Sequence, residues 1–499
     1  MPDTTMRSSA AAAVDRMGIL ALLALLAIGA GAAVLGPELV TMLLIAVVGS
    51  MVIAFRPQLG VAIIVFLLMV QYGSRKYERE GVAGGVSGLL PGGSGLLTVN
   101  NLLGILLLLL LVYQLYRDSD WSFLRSRQVR LVLLITGVFL FSAFISGIDI
   151  GDQVAIGVLP TTAQDPSRML LSRALLLVLF VFFIRKPRDL QMIVGLFVVL
   201  AIATAWSGSG AAITGAGRAE VSTYRAGGLE VLIESTQNPN RLALISTLAL
   251  VFIWEFSQAR QLRRWRWLAI GLVALLVVTV FLSASRGGLV GLSITGLLLL
   301  VRRRRGSARL LYGLAAILVG AVLIQEVVPE QALDRITNIP GLSRTDANSV
   351  GEGSLQRREY TYKIGFDIWK KAPLVGVGPG NWSYVRFLND PLRSSAAAHN
   401  SYMAALAEGG LITLVLYLVL FYVTVRDLLR CEQTRAIVER ARADGLEWLL
   451  GATRICLMSF MVFSLFADLW DLVFSYFLVG VSAVLIMRYR PMPAAMVPA

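Results

Sequence analysis

The sequence predicts an all-α, polytopic integral membrane protein with about 12–14 transmembrane helices and one large loop on the outer side. Three observations carry this. Of the 499 residues, 57% are hydrophobic and 15% are charged, whereas a soluble domain is about one quarter charged. Apolar runs that reach or approach the roughly 20 residues needed to cross a bilayer recur along the chain. The basic residues gather in short clusters between those runs, as in loops facing the cytoplasm. The net charge of +14 is therefore a signal of topology, and no nucleic-acid partner is expected.

The chain reads as a single membrane domain over 1–499. Its first apolar run starts near Met17, after Arg7 and Arg16. With no convincing small-residue cleavage site before the next span, it reads as a retained helix rather than a signal peptide. The candidate spans are 17–35, 38–55, 58–72, 99–116, 131–148, 168–184, 190–206, 241–257, 267–284, 287–301, 309–328, 401–425, 451–469 and 472–487. Each must be helical, because hydrocarbon cannot satisfy open backbone.

Orientation follows from the arginines. With both termini cytoplasmic, the inner segments include Arg185-Lys186-Pro187-Arg188, the arginine-rich stretch 260–266, Arg302 to Arg305 and 426–450, all anchors of the inner side. The run 267–301 is too long for one crossing and has basic clusters at both ends. It must cross twice, and the turn falls at Ser283-Ala284-Ser285-Arg286-Gly287-Gly288. Arg286 is thereby placed at the outer mouth of a hairpin. The tetra-arginine 302–305 reads as a topology anchor. Cys431 falls in a basic loop and Cys456 in an apolar run, so neither a disulfide nor a metal site is expected.

The outer loops are 73–98, 149–167, 207–240 and 329–400. The last is far longer than a connector needs, and such loops tend to be functional or disordered. Tyr362, Phe366 and Trp369 recur in it at helical spacing, predicting an amphipathic helix lying on the membrane domain, followed by a turn at Gly376-Val377-Gly378-Pro379-Gly380. No Walker-type phosphate loop is present, so direct ATP use is not expected.

The polar residues worth weighing lie on the outer side. His399 is the only histidine, at the entry to a span. It is either a residue of the helix start that bonds a neighbour, or a proton acceptor at neutral pH. Arg286 and Arg225 offer planar, permanently charged forks suited to phosphate oxygens; the plainer account is snorkelling to headgroups. Arg357 and Arg358 are either solvated charges on the amphipathic helix or further ligands. Glu408, about two turns into a span, is costly to bury and either pairs structurally or orients the site; Asp468 and Asp471 sit at the mouth of the last hairpin.

These segments, in their order, resemble the O-antigen ligase and O-antigen polymerase superfamily of bacterial membrane glycosyltransferases. The residues that carry the resemblance are Ser283 to Gly288, Arg357-Arg358 with Trp369 and Gly376 to Asn381, and His399-Asn400-Ser401-Tyr402 with Glu408-Gly409-Gly410. It covers roughly 220–425. It implies a GT-C-like fold in the bacterial inner membrane, a periplasmic loop at 329–400 and a periplasmic active site without a cofactor. It also implies transfer of an undecaprenyl-diphosphate-linked glycan to an acceptor sugar hydroxyl, on a carrier-linked glycan or lipid A-core, with polysaccharide assembly proteins as partners. By the same resemblance His399 is the base and Arg286 and Arg225 hold the diphosphate; Arg357, Arg358, Asn400, Tyr402 and Glu408 are the accompanying candidates for substrate binding. The competing classes are a lipid-linked glycan transporter and a non-catalytic scaffold.

Overall fold

The computed structural model describes residues 55–71, 99–147, 166–213, 239–259, 265–283, 285–302, 350–389, 398–469 and 473–490. Among them there are α-helices and one short 3-10 turn, and no strand. In chain order the helices are α1 (Pro57–Gln71), α2 (Val99–Asp118), α3 (Arg127–Ser146), α4 (Pro166–Phe183), α5 (Pro187–Ile213), α6 (Pro239–Ser257) and α7 (Arg266–Leu282). They continue with α8 (Arg286–Arg302), α9 (Val350–Lys371), α10 (Trp382–Asn389), α11 (Ser401–Gln433), α12 (Arg435–Ala443), α13 (Glu447–Phe463) and α14 (Val473–Tyr489). Eleven of the fourteen expected spans have a matching helix; 17–35, 309–328 and nearly all of 38–55 lie outside the described residues. Taken singly, α3, residues 187–206 of α5, α6 and α11 are each long and apolar enough to cross a membrane.

The helices form one bundle with α6 and α14 at its centre. Every residue of α6 from Leu242 to Ile253 is buried, and α14 is buried nearly throughout. A helix apolar on all sides belongs in lipid or in a protein interior, and the burial of α6 and α14 places them in the interior. Phe197 of α5 sits between Phe252 and Phe477, at ring-centroid distances of 5.9 and 5.2 Å. Glycines set the approach of α8. A Cβ at Gly287 would lie 2.6 Å from Phe466, one at Gly288 2.5 Å from Ala243, and one at Gly291 2.3 Å from Phe463. The glycines after Arg286 thus serve close helix packing.

The alternation of helices brings the basic clusters to one end of the bundle. There Arg302 lies 3.8 Å from Glu255 and 3.7 Å from Glu432, and Arg454 binds both oxygens of Glu432 at 2.7 and 3.2 Å. Arg302 is thus more than an anchor: its guanidinium fills the space a side chain at residue 451 would need, since a Cβ on Gly451 would lie 1.0 Å from Nη1. Two expectations are corrected at this end. The segment 426–450 is largely helical, because α11 continues to Gln433 and α12 follows at once. Cys431 is accordingly a buried helical residue, not part of a loop.

At the opposite end, α11 is broken. Gly410 has φ 70° and ψ −175°, and the turn after α9 fills the gap. Leu411 and Ile412 donate backbone N–H groups to Pro373 and Leu374 (2.9 and 3.2 Å), while Val377 and Gly378 donate to Ala407 and Glu408 (3.0 and 2.9 Å). Backbone groups exposed by a break must find such partners when water is absent. Glycine is required on both sides: a Cβ on Gly410 would lie 2.2 Å from the Leu374 oxygen, and one on Gly376, at φ 74°, 2.3 Å from the Glu408 carbonyl carbon. Two glycine motifs some thirty residues apart are one interlocked unit.

Candidate active site

The site is built around the turn Ser464–Leu469, which follows α13. Three helices begin there. At α6, Asn240 donates its amide to the Phe466 carbonyl at 3.1 Å, and the Arg241 guanidinium reaches the Asp468 carbonyl at 3.4 Å. At α8, Ser285 is the helix cap. Its hydroxyl accepts from Gly288 N–H at 2.8 Å and meets the Asn240 side-chain oxygen. At α11, Ser401 N–H donates to the Ser464 carbonyl at 2.8 Å, and the Ser401 hydroxyl donates to the Ala467 carbonyl at 2.9 Å and accepts from Leu469 N–H at 2.8 Å. With N–H groups of α8 and α11 capped by Ser285, Asn400 and the Ser464 carbonyl, each helix start carries a partial positive charge from the helix dipole. Three of them meet at one turn, a setting that favours an anion.

The residues expected from sequence fall around this hub. Arg286 is the first residue of α8, half-buried, beside the Ser285 cap. His399 is exposed and precedes the Asn400 cap of α11. Its φ of 50° is left-handed, a conformation of non-glycine residues that is uncommon, in which His is enriched, and that concentrates at functional sites. Asn400 caps α11, its oxygen accepting from Tyr402 and Met403 N–H at 2.9 and 3.1 Å, and its amide reaches the Tyr362 hydroxyl at 3.4 Å. Tyr402 donates its hydroxyl to the Met461 carbonyl at 2.8 Å.

Glu408 is buried, and one carboxylate oxygen accepts from Trp382 N–H at 3.2 Å, at the start of α10. A carboxylate at a helix start is favourable, so Glu408 holds the outer loop to α11. Arg357 and Arg358 lie on α9. Arg225 lies outside the described residues, as does Asp471. The aromatic spacing in 350–371 marks a helix, but not its packed face. Thr361, Ile364, Gly365 and Ile368 face inward, whereas Phe366 is exposed. Gly365 is what lets that face close, against Met403 and Trp382.

Three further arginines are drawn into the structure without having been named as candidates from sequence. Arg241 is tied to the hub, Arg386 of α10 is buried with its guanidinium 5.9 Å from the Tyr360 ring, and Arg173 is buried within α4. The signal for Arg173 was a charge inside an apolar run. Arg386 offered none, because a charge in a loop is ordinary until the loop folds over it.

Residues 271–418 match the sequence model of a family described as O-antigen ligase. The matched segment holds α8, α9, α10, the first half of α11 and His399. No curated protein matches the chain.

Proposed function

The chain belongs to the O-antigen ligase and polymerase superfamily, and from that premise we propose that it transfers an undecaprenyl-diphosphate-linked glycan to an acceptor sugar hydroxyl at the periplasmic face of the inner membrane. The observation that carries this is the turn 464–469, to which the helix entered from His399 is bonded directly and the helix begun by Arg286 through Asn240. Cation and proton acceptor thereby share one end of the bundle, opposite the basic clusters that mark the cytoplasmic side.

In this reading the acceptor hydroxyl gives its proton to His399 while its oxygen attacks the anomeric carbon. The bond from that carbon to the diphosphate breaks, the carrier diphosphate leaves, and the configuration inverts. Arg286 and Arg225, with the three helix starts, offset the charge that develops on the leaving oxygens; preorganised donors of this kind are worth several kcal/mol. Cleavage of the donor's own bond supplies the driving force, so no nucleotide is required. Asn400 and Ser401 hold His399 at the helix start, and Glu408 holds the loop that carries Arg357 and Arg358.

His399→Ala should abolish glycan transfer at normal membrane expression, measured on lipid-linked and surface glycans. Near-normal transfer would remove the base assignment. In a deletion strain, accumulation of single carrier-linked repeats marks a polymerase, and accumulation of long carrier-linked chains marks a ligase. A lipid-linked glycan transporter is the second reading, favoured by buried Arg173 inside a helix. It requires that His399→Ala leave transfer intact while translocation is lost.

A further inference from the structure

We infer that the exposed edge formed by the end of α9 and the turn after it, Phe366, Trp369 and Leu374, is seated in the headgroup layer of the bilayer, so that the long loop is referenced to the membrane surface. This rests on the membrane fold and not on the proposed reaction.

Among the described residues the edge is turned away from the bundle. Phe366 is 46% and Leu374 61% exposed, while the opposite side of α9 packs inward through Ile364 and Ile368. Phe366 and Trp369 contact each other edge to face at 6.2 Å, and the Trp369 indole N–H donates to the Pro373 carbonyl at 2.9 Å. The Trp369 ring is thus fixed beside the turn.

The occupant follows from continuity. Pro373 and Leu374 accept the N–H groups of Leu411 and Ile412. Those residues open an exposed apolar strip, Leu411, Ile412, Val415, Leu418 and Val419, along a helix long and apolar enough to cross a membrane. That strip faces lipid, and Leu374 extends it toward the outer end. On the same edge as Leu374 stand the two aromatic rings, and Lys370 and Lys371, both exposed, lie between Trp369 and Leu374 in the chain. Aromatic residues and lysines gathered at the outer end of a lipid-facing apolar strip are the composition of a bilayer interface, and lysine stems reach headgroups from there. Toward its start α9 turns polar, with an exposed ion pair of Lys363 and Glu359 at 3.1 Å. The helix therefore dips toward lipid at its end and rises into water at its start. Between the two, Tyr362 meets Asn400 beside His399.

The test uses full-length protein in vesicles of phosphatidylethanolamine and phosphatidylglycerol. Cys431 and Cys456 are both buried, so a cysteine introduced on the surface takes a fluorophore selectively. Phe366→Cys, Leu374→Cys and, as a control on the same helix, Glu359→Cys are labelled. Quenching by lipids carrying a headgroup-level nitroxide is then compared. Quenching at residues 366 and 374 should exceed that at 359 by about twofold or more, as expected across an interfacial belt. Equal, weak quenching at all three positions overturns the inference in favour of an aqueous surface. A blue-shifted but unquenched label at residue 366 overturns it in favour of a protein partner or a second copy.

Discussion

The two ends of the bundle are held by different chemistry. At the Arg302 end, arginines meet carboxylates: Arg302 with Glu255 and Glu432, Arg454 with Glu432, Arg426 with Asp427, Arg488 with Asp444, and Arg185 with Asp120. At the Arg286 end, Asn240, Arg241 and Ser401 tie two helix starts to the carbonyls of one turn, and Ser285 ties a third helix start to Asn240. The first chemistry neutralises charge and fixes topology. The second fixes geometry through hydrogen bonds to backbone groups and gathers helix starts of the kind that suit an anion. Under the proposed function, the gathered helix starts rather than an arginine cluster mark the site.

Substitutions break or sharpen this contrast. The largest effect is expected for Gly410→Ala, whose Cβ meets the Leu374 oxygen in a backbone conformation suited to glycine. It should cost on the order of 3 kcal/mol and disrupt the site end; an unchanged melting temperature would refute the interlock of α11 with the turn 373–378. Next is Gly451→Ala, which displaces Arg302 from Glu255 and Glu432. A buried carboxylate losing its partner should cost about 2 kcal/mol, while transfer per folded molecule stays at the wild-type level. Loss of transfer in proportion to unfolding supports the division; loss beyond it denies that the ends are separate.

Ser285→Ala should show the reverse pattern. Removing a helix cap costs about 1 kcal/mol, but loosening the Asn240 link beside Arg286 should lower transfer about tenfold through misplacement. The smallest effect concerns pH. The Ser122 hydroxyl, then the Arg185 guanidinium and the Ser122 N–H, hold the Asp120 carboxyl down to about 2 from its ordinary 3.8. A depressed carboxyl stabilises the fold above its unfolded value and loses that contribution as pH falls through its folded value. Melting temperature should therefore drop between about pH 4 and pH 2, and Asp120→Asn should flatten that part of the profile without altering transfer.

Much of this was legible in the sequence, and the reasons are specific. Hydropathy and arginine placement fixed the alternation of helices, including the hairpin that sets Arg286 opposite Arg302, because a span has only one feasible backbone state and a minimum length. Position alone put His399 at a helix entrance. The aromatic spacing of 362, 366 and 369 gave a helix but suggested the wrong packed face. In a soluble protein such a stripe turns inward, whereas at a bilayer it can face out. Nothing local marked Ser464 to Leu469 as the hub, since its contributions are backbone carbonyls, which every residue has.

The sequence by itself determined that this chain is a bundle of membrane helices, which residues lie at which end, and the family it resembles. Each of these depends on local composition and order. Only the tertiary structure decided that Gly376 and Gly410 lock together, that Glu408 holds α10, that Arg302 is a partly buried, ion-paired residue, and that the starts of α6, α8 and α11 gather at the same turn. Those facts depend on hydrogen bonds and close approaches between segments far apart in the chain, and short-range pattern carries no record of them.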